Sequence, residues 1–205
     1  MTTPRHLVQF YDDEVFLSEA VASFVKVGLQ VNDTLIIIAT PSHCRDVRNL
    51  LTPDELANSN IVFFDAASLL TNIMIDGCPN QHRFMDMIGN LIQRAGQRGR
   101  VRVFGEMVSL LWAEGKYQSA LRLEELWDEF QTTQPVFRMC AHPHSALTSQ
   151  EHPRALCKTY TEVRYQKPSK PSRVVGRTRD IFVALVILSS ALSERIPASY
   201  CALLE

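Results

Sequence analysis

Residues 101–127 read VRVFGEMVSLLWAEGKYQSALRLEELW, and this stretch decides the fold class more than any other. Its apolar Val101, Val103 and Phe104 predict a buried strand, which Glu106 follows after a single glycine. In open α/β sheets, ligands bind outside the carboxyl ends of the strands. Glu106 is therefore either a functional carboxylate at a strand tip or a residue that caps a helix, because helix starts favour acids.

Both tryptophans of the chain lie just beyond this strand. Trp112 is on the first of two predicted helices, and Trp127 is on the second. Tryptophan side chains are usually largely buried, so core packing is the simpler interpretation, and we keep it for Trp127. Trp112 remains a candidate wall of a binding pocket.

Strand-like and helix-like segments alternate on both sides of this stretch. Strands are predicted at residues 6–10, 34–39, 61–64, 100–104 and 135–141, with helices between them. Strands separated by helices form right-handed crossovers and a mainly parallel sheet. We therefore predict an α/β fold in which a mainly parallel five-stranded sheet carries helices on both faces. Residues 151–163 can add one more helix.

The alternation weakens after His144, and this change divides the chain. We predict a domain at residues 1–163, a basic linker rich in Pro and Ser at residues 164–178, and a C-terminal helix within residues 179–205. A linker of this composition does not build a core. The last helix has an apolar face without an evident partner in the domain, so it is a candidate remnant of an output or dimerisation module.

Composition sets the broad class of the protein. The chain has 205 residues, of which 46% are hydrophobic, and a formal net charge of −1. This balance supplies a core and gives no drive toward nucleic acid or anionic membranes. The five cysteines form no C-x-x-C pair and no signal peptide opens the chain, so we expect free thiols in the cytoplasm. The apolar run at residues 181–192 is shorter than the roughly 20 residues of a membrane span.

The turn after the first strand argues against nucleotide chemistry. It reads Tyr11-Asp12-Asp13-Glu14 and holds neither glycine nor lysine, whereas a phosphate-binding loop needs both. Its carboxylates would repel a triphosphate. The Gly-Lys pair at residues 115–116 joins two helices and does not follow a strand. We therefore expect no ATP hydrolysis, and no catalytic residues are predicted.

A second pattern raises the question of a metal. Cys140, His142 and His144 alternate at the end of the fifth strand, which places them on one face of an extended segment. Thiolate and imidazole together suit zinc, but a fourth ligand is not evident. A buried thiol and two surface or pocket histidines explain the pattern more simply, so we predict no metal site and no cofactor.

Several motifs together resemble one known family. They are His6, Val8, Gln9, Phe10, Tyr11, Asp12 and Asp13 at the opening; Gly28, Leu29 and Asp33 in a turn; the strand end at 36–41; FGEMVSLLWAEG at 104–115; ALRLEELW at 120–127; and Cys140, Ala141 and Pro143. These motifs resemble the MEDS domain, the methanogen and methylotroph sensory domain of the dichloromethane-responsive regulator. The resemblance covers residues 5–163, and the part at 104–127 is highly specific.

This resemblance implies a RecA-like or KaiC-like three-layer α/β domain that has lost its phosphate loop. It also implies a non-catalytic, cytoplasmic small-molecule sensory domain of a bacterial or archaeal signal-transduction or transcription-regulatory system, such as a two-component system. The partners it implies are an unidentified small-molecule ligand and either a second copy of the chain or a separate signalling protein. Neither a membrane span nor nucleic acid is expected.

The chain departs from the family in having no complete output module. Residues 179–198 resemble the R-D-x-F-x-A opening of a histidine kinase dimerisation helix, but no histidine follows His152. An alternative function is therefore an interaction or dimerisation module that regulates a separate kinase or anti-sigma factor. A residual nucleotide-binding ATPase is a third alternative, which the acidic turn disfavours.

For the sensory hypothesis we predict one ligand site at the C-terminal edge of the sheet. Its apolar and aromatic walls are Phe10, Tyr11, Trp112 and Cys140, and its polar contacts are His6, Glu106 and His142. Such a mixture of apolar walls and a few polar groups is typical of small-molecule pockets.

Overall fold

The computed structural model describes residues 5–145 and 161–166 of the chain. The strands are β1 (Arg5–Tyr11), β2 (Thr34–Ala39), β3 (Ile61–Asp65), β4 (Met74–Ile75), β5 (Cys78–Pro79), β6 (Val101–Gly105), β7 (Val136–Pro143) and β8 (Glu162–Tyr165). The helices are α1 (Glu14–Gln30), α2 (Pro41–Asn49), α3 (Pro53–Leu56), α4 (Ala66–Ile73), α5 (Gln81–Phe84), α6 (Asn90–Gly96), α7 (Met107–Ala113) and α8 (Tyr117–Thr133). A π-helical turn, Met85–Gly89, joins α5 to α6.

The predicted α/β fold with a mainly parallel sheet is confirmed. Six strands form the main sheet in the order β3-β2-β6-β7-β1-β8, and every neighbouring pair is parallel. The small β4–β5 hairpin is antiparallel and stands apart from it. The carboxyl ends of all six long strands therefore lie at one edge of the sheet, which we call the C-terminal edge.

The sixth strand corrects part of the sequence prediction. We expected a helix at residues 151–163 and a linker from residue 164, but Glu162–Tyr165 is the edge strand β8, which pairs with Leu7–Phe10 of β1. Four residues with a Val and a Tyr suffice for an edge strand, and so short a segment carries no clear alternation. Residues 151–160 and the predicted linker and C-terminal helix beyond Gln166 lie outside the described residues.

Two hydrophobic cores cover the two faces of the sheet. The first core contains Ile36, Ile38, Val101 and Val103 from the strands, together with buried residues of α4, α6, α7 and α8. The second core contains Leu35, Ile37, Phe104 and Met139, together with buried residues of α1 and α2. All six residues of β2 are buried, as expected for a strand covered on both faces.

Polar residues at the ends of strands start three of the helices. Asp13 caps α1, Thr40 caps α2 and Asp65 caps α4, each by accepting a hydrogen bond from a backbone N–H of the first turn. Such caps stabilise a helix start by about 1 kcal/mol. In consequence α1, α2 and α4 all begin at the C-terminal edge. Among the described residues, none of the helices has the length and apolar character needed to cross a membrane.

Candidate functional site

The C-terminal edge contains a point where neighbouring strands send their helices to opposite faces. Strand β2 continues into α2, whose Cys44 and Val47 pack in the second core. The adjacent strand β6 continues into α7, whose Met107 and Val108 pack in the first core. In open α/β sheets the crevice at such a switch point is where ligands bind. Glu106 lies between β6 and α7, at this crevice.

The Glu106 side chain is buried and bridges to the start of α2. Its Oε2 accepts a hydrogen bond from the Thr40 backbone N–H at 2.7 Å, and its Oε1 lies 2.5 Å from His43 Nδ1. Only 4% of Glu106 is exposed. The residue occupies the N-cap position of α7 but makes no capping hydrogen bond there. The carboxylate therefore forms its hydrogen bonds across the crevice, with Thr40 and His43, and does not cap α7.

His43 stands between two carboxylates, one buried and one exposed. Its Nε2 lies 2.7 Å from Oε2 of Glu14, whose side chain is 66% exposed. The hydrogen bond to Glu106 raises the pKa of His43 to about 9; burial opposes this rise, and the negative charges of Glu106 and Glu14 add to it. His43 is therefore an imidazolium at neutral pH, and it donates a hydrogen bond to each carboxylate.

Tyr11 ends strand β1 beside the same two carboxylates. It is 8% exposed, and burial together with the negative charges of Glu14 and Glu106 raises the pKa of its hydroxyl. The phenol therefore stays protonated throughout the physiological range. Of the predicted site residues, Glu106 thus lies in a hydrogen-bonded network with the unpredicted His43 and Glu14, and Tyr11 lies within reach of the charges of both carboxylates.

The acidic turn after β1 is held by a residue from the far end of the described chain. The side-chain oxygen of Gln166 accepts hydrogen bonds from the backbone N–H groups of Asp12 at 2.8 Å and Asp13 at 3.1 Å. The Asp12 carboxylate also pairs with His144 at 3.0 Å. In a phosphate-binding loop these backbone donors would face phosphate. Here the side-chain amide oxygen of Gln166 accepts both hydrogen bonds.

On the first-core face, the strand end beside Glu106 leaves open space. Gly105 pairs with Ile38 of β2 and with Cys140 of β7. Apart from the two neighbouring residues in the chain, a Cβ built on Gly105 would meet no described atom within 4 Å. Ile38 and Cys140 are buried on either side, with exposures of 0% and 3%. The crevice therefore has a polar network on one side of the strand end and a gap between apolar neighbours on the other.

The other predicted site residues do not take part in the network of Glu106, His43 and Glu14. His6 is five residues before Tyr11 along β1, about 16 Å away. It contacts Cys140 Sγ through Nε2 at 3.2 Å and accepts a hydrogen bond from Arg138 at 2.6 Å. His6 and Cys140 thus belong to a buried cluster below the edge. Their assignment to the ligand site stays a prediction.

His142, Phe10 and Trp112 complete the predicted set. His142 is fully buried, and its Nδ1 lies 3.0 Å from Ser109 Oγ. Its ring centroid is 6.0 Å from that of Phe10. Trp112 packs in the first core with its ring 4.7 Å from that of Tyr117. All three have packing partners within the fold, so a ligand contact for them is not needed to explain their burial.

The Ser109–His142 contact does not form a nucleophile and base. Ser109 Oγ donates its proton to the Ala141 carbonyl oxygen, so His142 Nδ1 is the donor in the second contact. A serine activated for attack needs an imidazole nitrogen that accepts its proton. The contact instead fastens α7 to the end of β7.

Below the edge, α8 contributes carboxylates to the cluster around His6. Arg138 Nη2 donates to Asp128 at 2.8 Å and lies 3.4 Å from Glu124 Oε2. Burial raises the pKa of Glu124 to about 7, although the Arg138 charge opposes this rise. Burial likewise raises the pKa of the Cys140 thiol. Cys140, His142 and His144, whose alternation raised the question of a metal, do not form a metal-capable group; among the described residues that group is His6, Glu124 and Cys140.

Sequence reasoning missed His43 and Glu14. A histidine in the first turn of a helix that follows a strand tip is a usable signal, because that turn faces the edge where ligands bind. Glu14 is visible as part of the acidic turn, but its partner is 29 residues away. The pairing is a product of the fold.

Comparison with known proteins gives one family. The family model described as "MEDS: MEthanogen/methylotroph, DcmR Sensory domain" matches residues 5–158. A search of curated proteins finds no match to the chain.

Proposed function

The chain belongs to the MEDS family of sensory domains, and from this membership we propose that it binds a small, weakly polar molecule at the crevice between β2 and β6. The single observation that carries the proposal is the placement of buried Glu106 at the switch point, hydrogen-bonded to Thr40 and His43. Ligand sites in this class of fold occur at that position. The open space at Gly105 adds room beside it.

The charges around the crevice select the ligand class. His43 is one imidazolium between two carboxylates, Glu106 and Glu14. An anionic ligand would be repelled by the surplus of negative charge. A neutral molecule with one weakly polar group fits better, because it can use one hydrogen bond at the polar side and fill the apolar gap at Gly105.

We propose a non-catalytic role at this site. The backbone donors of the acidic turn already bind Gln166, and Ser109 is a hydrogen-bond donor to backbone. Among the described residues of this edge, we therefore identify neither a phosphate cradle nor an activated nucleophile. We place the protein in the cytoplasm of a bacterium or archaeon, within a signalling or regulatory system. Its described cysteines, Cys44, Cys78 and Cys140, are free thiols, as a reducing compartment favours.

The structure offers a route from the crevice to the rest of the chain. Gln166 holds the turn at Asp12 and Asp13 and is continuous with β8, whose Val163 pairs with Val8 of β1. Residues 167–205 follow directly in sequence. A ligand that moves the acidic turn would therefore act on Gln166, the residue that directly precedes residues 167–205. Contact of that segment with a second copy or with a separate signalling protein is the interaction-module alternative.

The test is a binding measurement with a filled crevice as the comparison. Dichloromethane and methanol are titrated into the full chain, with isothermal calorimetry and thermal shift as readouts. We expect one of them to bind, and Gly105→Val to weaken that binding by at least tenfold while keeping the fold. Gly96→Ala is the matched control, because a Cβ there meets only Val101 at 3.9 Å. Equal affinity in wild type and Gly105→Val, or no binding by any probe, would overturn the proposal and favour the interaction-module alternative.

A further inference from the structure

Three residues with metal-binding side chains meet below the C-terminal edge. His6 of β1, Glu124 of α8 and Cys140 of β7 each place one ligand atom within 4.8 Å of the other two. Their exposures are 2%, 2% and 3%. Three elements distant in sequence thus converge on one buried point with an imidazole, a carboxylate and a thiol, which are the ligand types of zinc sites.

The Glu124 carboxylate has no hydrogen bond to explain its burial. Among the described residues, neither of its oxygens has a hydrogen-bond partner. Its ion pair with Arg138 is long, at 3.4 Å, and a buried carboxylate without a hydrogen bond costs several kcal/mol unless it is neutralised or coordinates a cation. A buried carboxylate without a hydrogen bond, close to a thiol and an imidazole, is therefore a candidate cation ligand.

The charges of the cluster are also out of balance. Arg138 is the cation of the cluster, and it donates to Asp128 at 2.8 Å. Glu124 lies farther from the same Nη2, at 3.4 Å. One guanidinium thus faces two carboxylates. A divalent cation bound to the Cys140 thiolate would balance the cluster, since the dication and Arg138 together match the thiolate and both carboxylates.

We propose that His6, Glu124 and Cys140 form a site for a thiophilic divalent cation of the zinc class. A thiolate and an imidazole favour zinc over magnesium or calcium, which prefer all-oxygen sites. Three protein ligands leave the fourth tetrahedral position for water or a small molecule. Cys140 also borders the gap at Gly105, so this site adjoins the crevice. Metal binding by the full chain without any small-molecule ligand tests this proposal alone, and the ligand titration tests the sensory proposal.

The hydrogen bond from Arg138 determines which nitrogen of His6 faces the proposed cation site. Its Nη2 donates to His6 Nδ1 at 2.6 Å, so the proton of neutral His6 lies on Nε2, toward Cys140 Sγ. A cation at Nε2 takes the place of that proton. The His6 proton then resides on Nδ1, the Arg138 guanidinium turns to Asp128 and Glu124, and the Cys140 thiol releases its proton to solvent. Metal binding therefore releases protons and strengthens with pH.

Cobalt(II) spectroscopy tests the site, because a thiolate bound to Co²⁺ gives a ligand-to-metal absorption band. The full chain is titrated with CoCl₂ in a non-thiol reductant, and Zn²⁺ is added in competition. We expect one Co²⁺ per chain, a thiolate band that Zn²⁺ abolishes, and a Zn²⁺-dependent rise in Tm. Cys140→Ser removes the band. Glu124→Gln weakens the affinity on the order of 10–100-fold, at least as much as the loss of an outer hydrogen-bond partner does.

Two matched controls keep the result specific. Cys44→Ser replaces a buried thiol that contacts the backbone oxygens of Ala39 and Phe64, and Cys78→Ser replaces an exposed one. Both should keep the band. A band that is missing in wild type, or that survives in Cys140→Ser, overturns the proposal. Should Cys140→Ser not fold, Glu124→Gln decides, because it keeps the side-chain size, and unchanged affinity in that variant also overturns it.

Discussion

Glu106 Oε1 and His43 Nδ1 are joined by a 2.5 Å hydrogen bond across the crevice where β2 and β6 diverge. The bond ties the start of α7, which packs on one face of the sheet, to the first turn of α2, which packs on the other. Because an imidazolium donates it to a buried carboxylate, it is stronger than a neutral hydrogen bond. The two faces of the domain are thus coupled at one charged contact, and the stability of the domain should report on it.

The first prediction concerns pH. A histidine whose pKa rises from 6.5 in the unfolded chain to about 9 in the fold contributes stability that is fully present below pH 6.5. That contribution is lost as the pH rises through 9. Between these values the free energy of unfolding should fall by at most about 1.4 kcal/mol per pH unit for this one proton. Urea denaturation at intervals of pH from 6 to 10 measures the slope.

His43→Gln is the control for that slope. It removes the titrating group but can still donate one hydrogen bond to Glu106, so it should flatten the loss of stability between pH 6.5 and 9. His82→Gln changes an exposed histidine that pairs with Asp86 at 3.2 Å and should leave the slope as in wild type. A wild-type curve that is flat over this range would show that the His43–Glu106 bond does not carry the charge assigned to it.

The second prediction concerns the other end of the same bond. Glu106→Gln removes the negative charge that accepts from Thr40 and His43, and we expect a loss of about 1–3 kcal/mol of stability. The pKa of His43 should fall toward 6.5, because the hydrogen bond to Glu106 is the main cause of its rise. NMR titration of the His43 ring measures that pKa in each variant.

Glu14→Gln is the matched comparison. The Glu14 side chain is 66% exposed, so solvent screens its charge, and the change should cost no more than about 1 kcal/mol. Its effect on the pKa of His43 should also be the smaller of the two. Equal effects of Glu106→Gln and Glu14→Gln would mean that burial of Glu106 does not strengthen its bond.

Much of the fold could be predicted from the sequence because its strands are buried on both faces. After Thr34 the strand β2 is entirely apolar, and all six of its residues are buried as a central parallel strand requires. Strand β8 was not predicted because it is a four-residue edge strand. Its place in the sheet depends on pairing with β1, more than 150 residues earlier in the chain.

The candidate site could be predicted only in part. Glu106 is visible at a strand tip because the topology rule applies to any parallel sheet. His43 is not, because its role depends on the position of α2 relative to β6. Likewise, strand alternation places His6 and Cys140 on one face, but Glu124 reaches them only because α8 packs over that face. The sequence pattern predicts the face of a strand or helix on which a residue lies. The packing of these elements against one another determines which residues it contacts.

The third prediction compares the effects on stability of replacing Gly105 and Gly28 by alanine. At Gly105 an added Cβ meets no described atom within 4 Å, so Gly105→Ala should keep or raise stability by up to about 1 kcal/mol, since alanine restricts the unfolded chain. At Gly28 the Cβ would lie 2.7 Å from Leu35 Cδ1 and 2.9 Å from Arg102 Cδ. Gly28→Ala should therefore cost about 1–3 kcal/mol through overpacking. Thermal denaturation of the two variants checks the contrast, and equal Tm values would contradict it.

The fourth prediction concerns a buried ion pair at the opposite edge of the sheet. Asp33 is 3% exposed and accepts from Arg102 Nε at 2.5 Å and from Arg100 Nε at 2.9 Å. Arg102 itself is held over the ring of Phe137, 4.8 Å from its centroid, so it cannot swing out to solvent easily. Asp33→Asn leaves that guanidinium buried and unpaired, and we expect a loss of about 3–5 kcal/mol.

An exposed pair on α8 provides the comparison for this loss. Arg122 pairs with Glu125, whose side chain is 63% exposed, at 3.0 Å. Glu125→Gln should cost about 0.5 kcal/mol or less, because solvent screens the pair and replaces its hydrogen bond. Urea denaturation of both variants measures the two losses under the same conditions. A loss in Asp33→Asn as small as that in Glu125→Gln would mean that water reaches Arg102 once its partner is neutral, and that burial of this pair adds nothing to the stability of the domain.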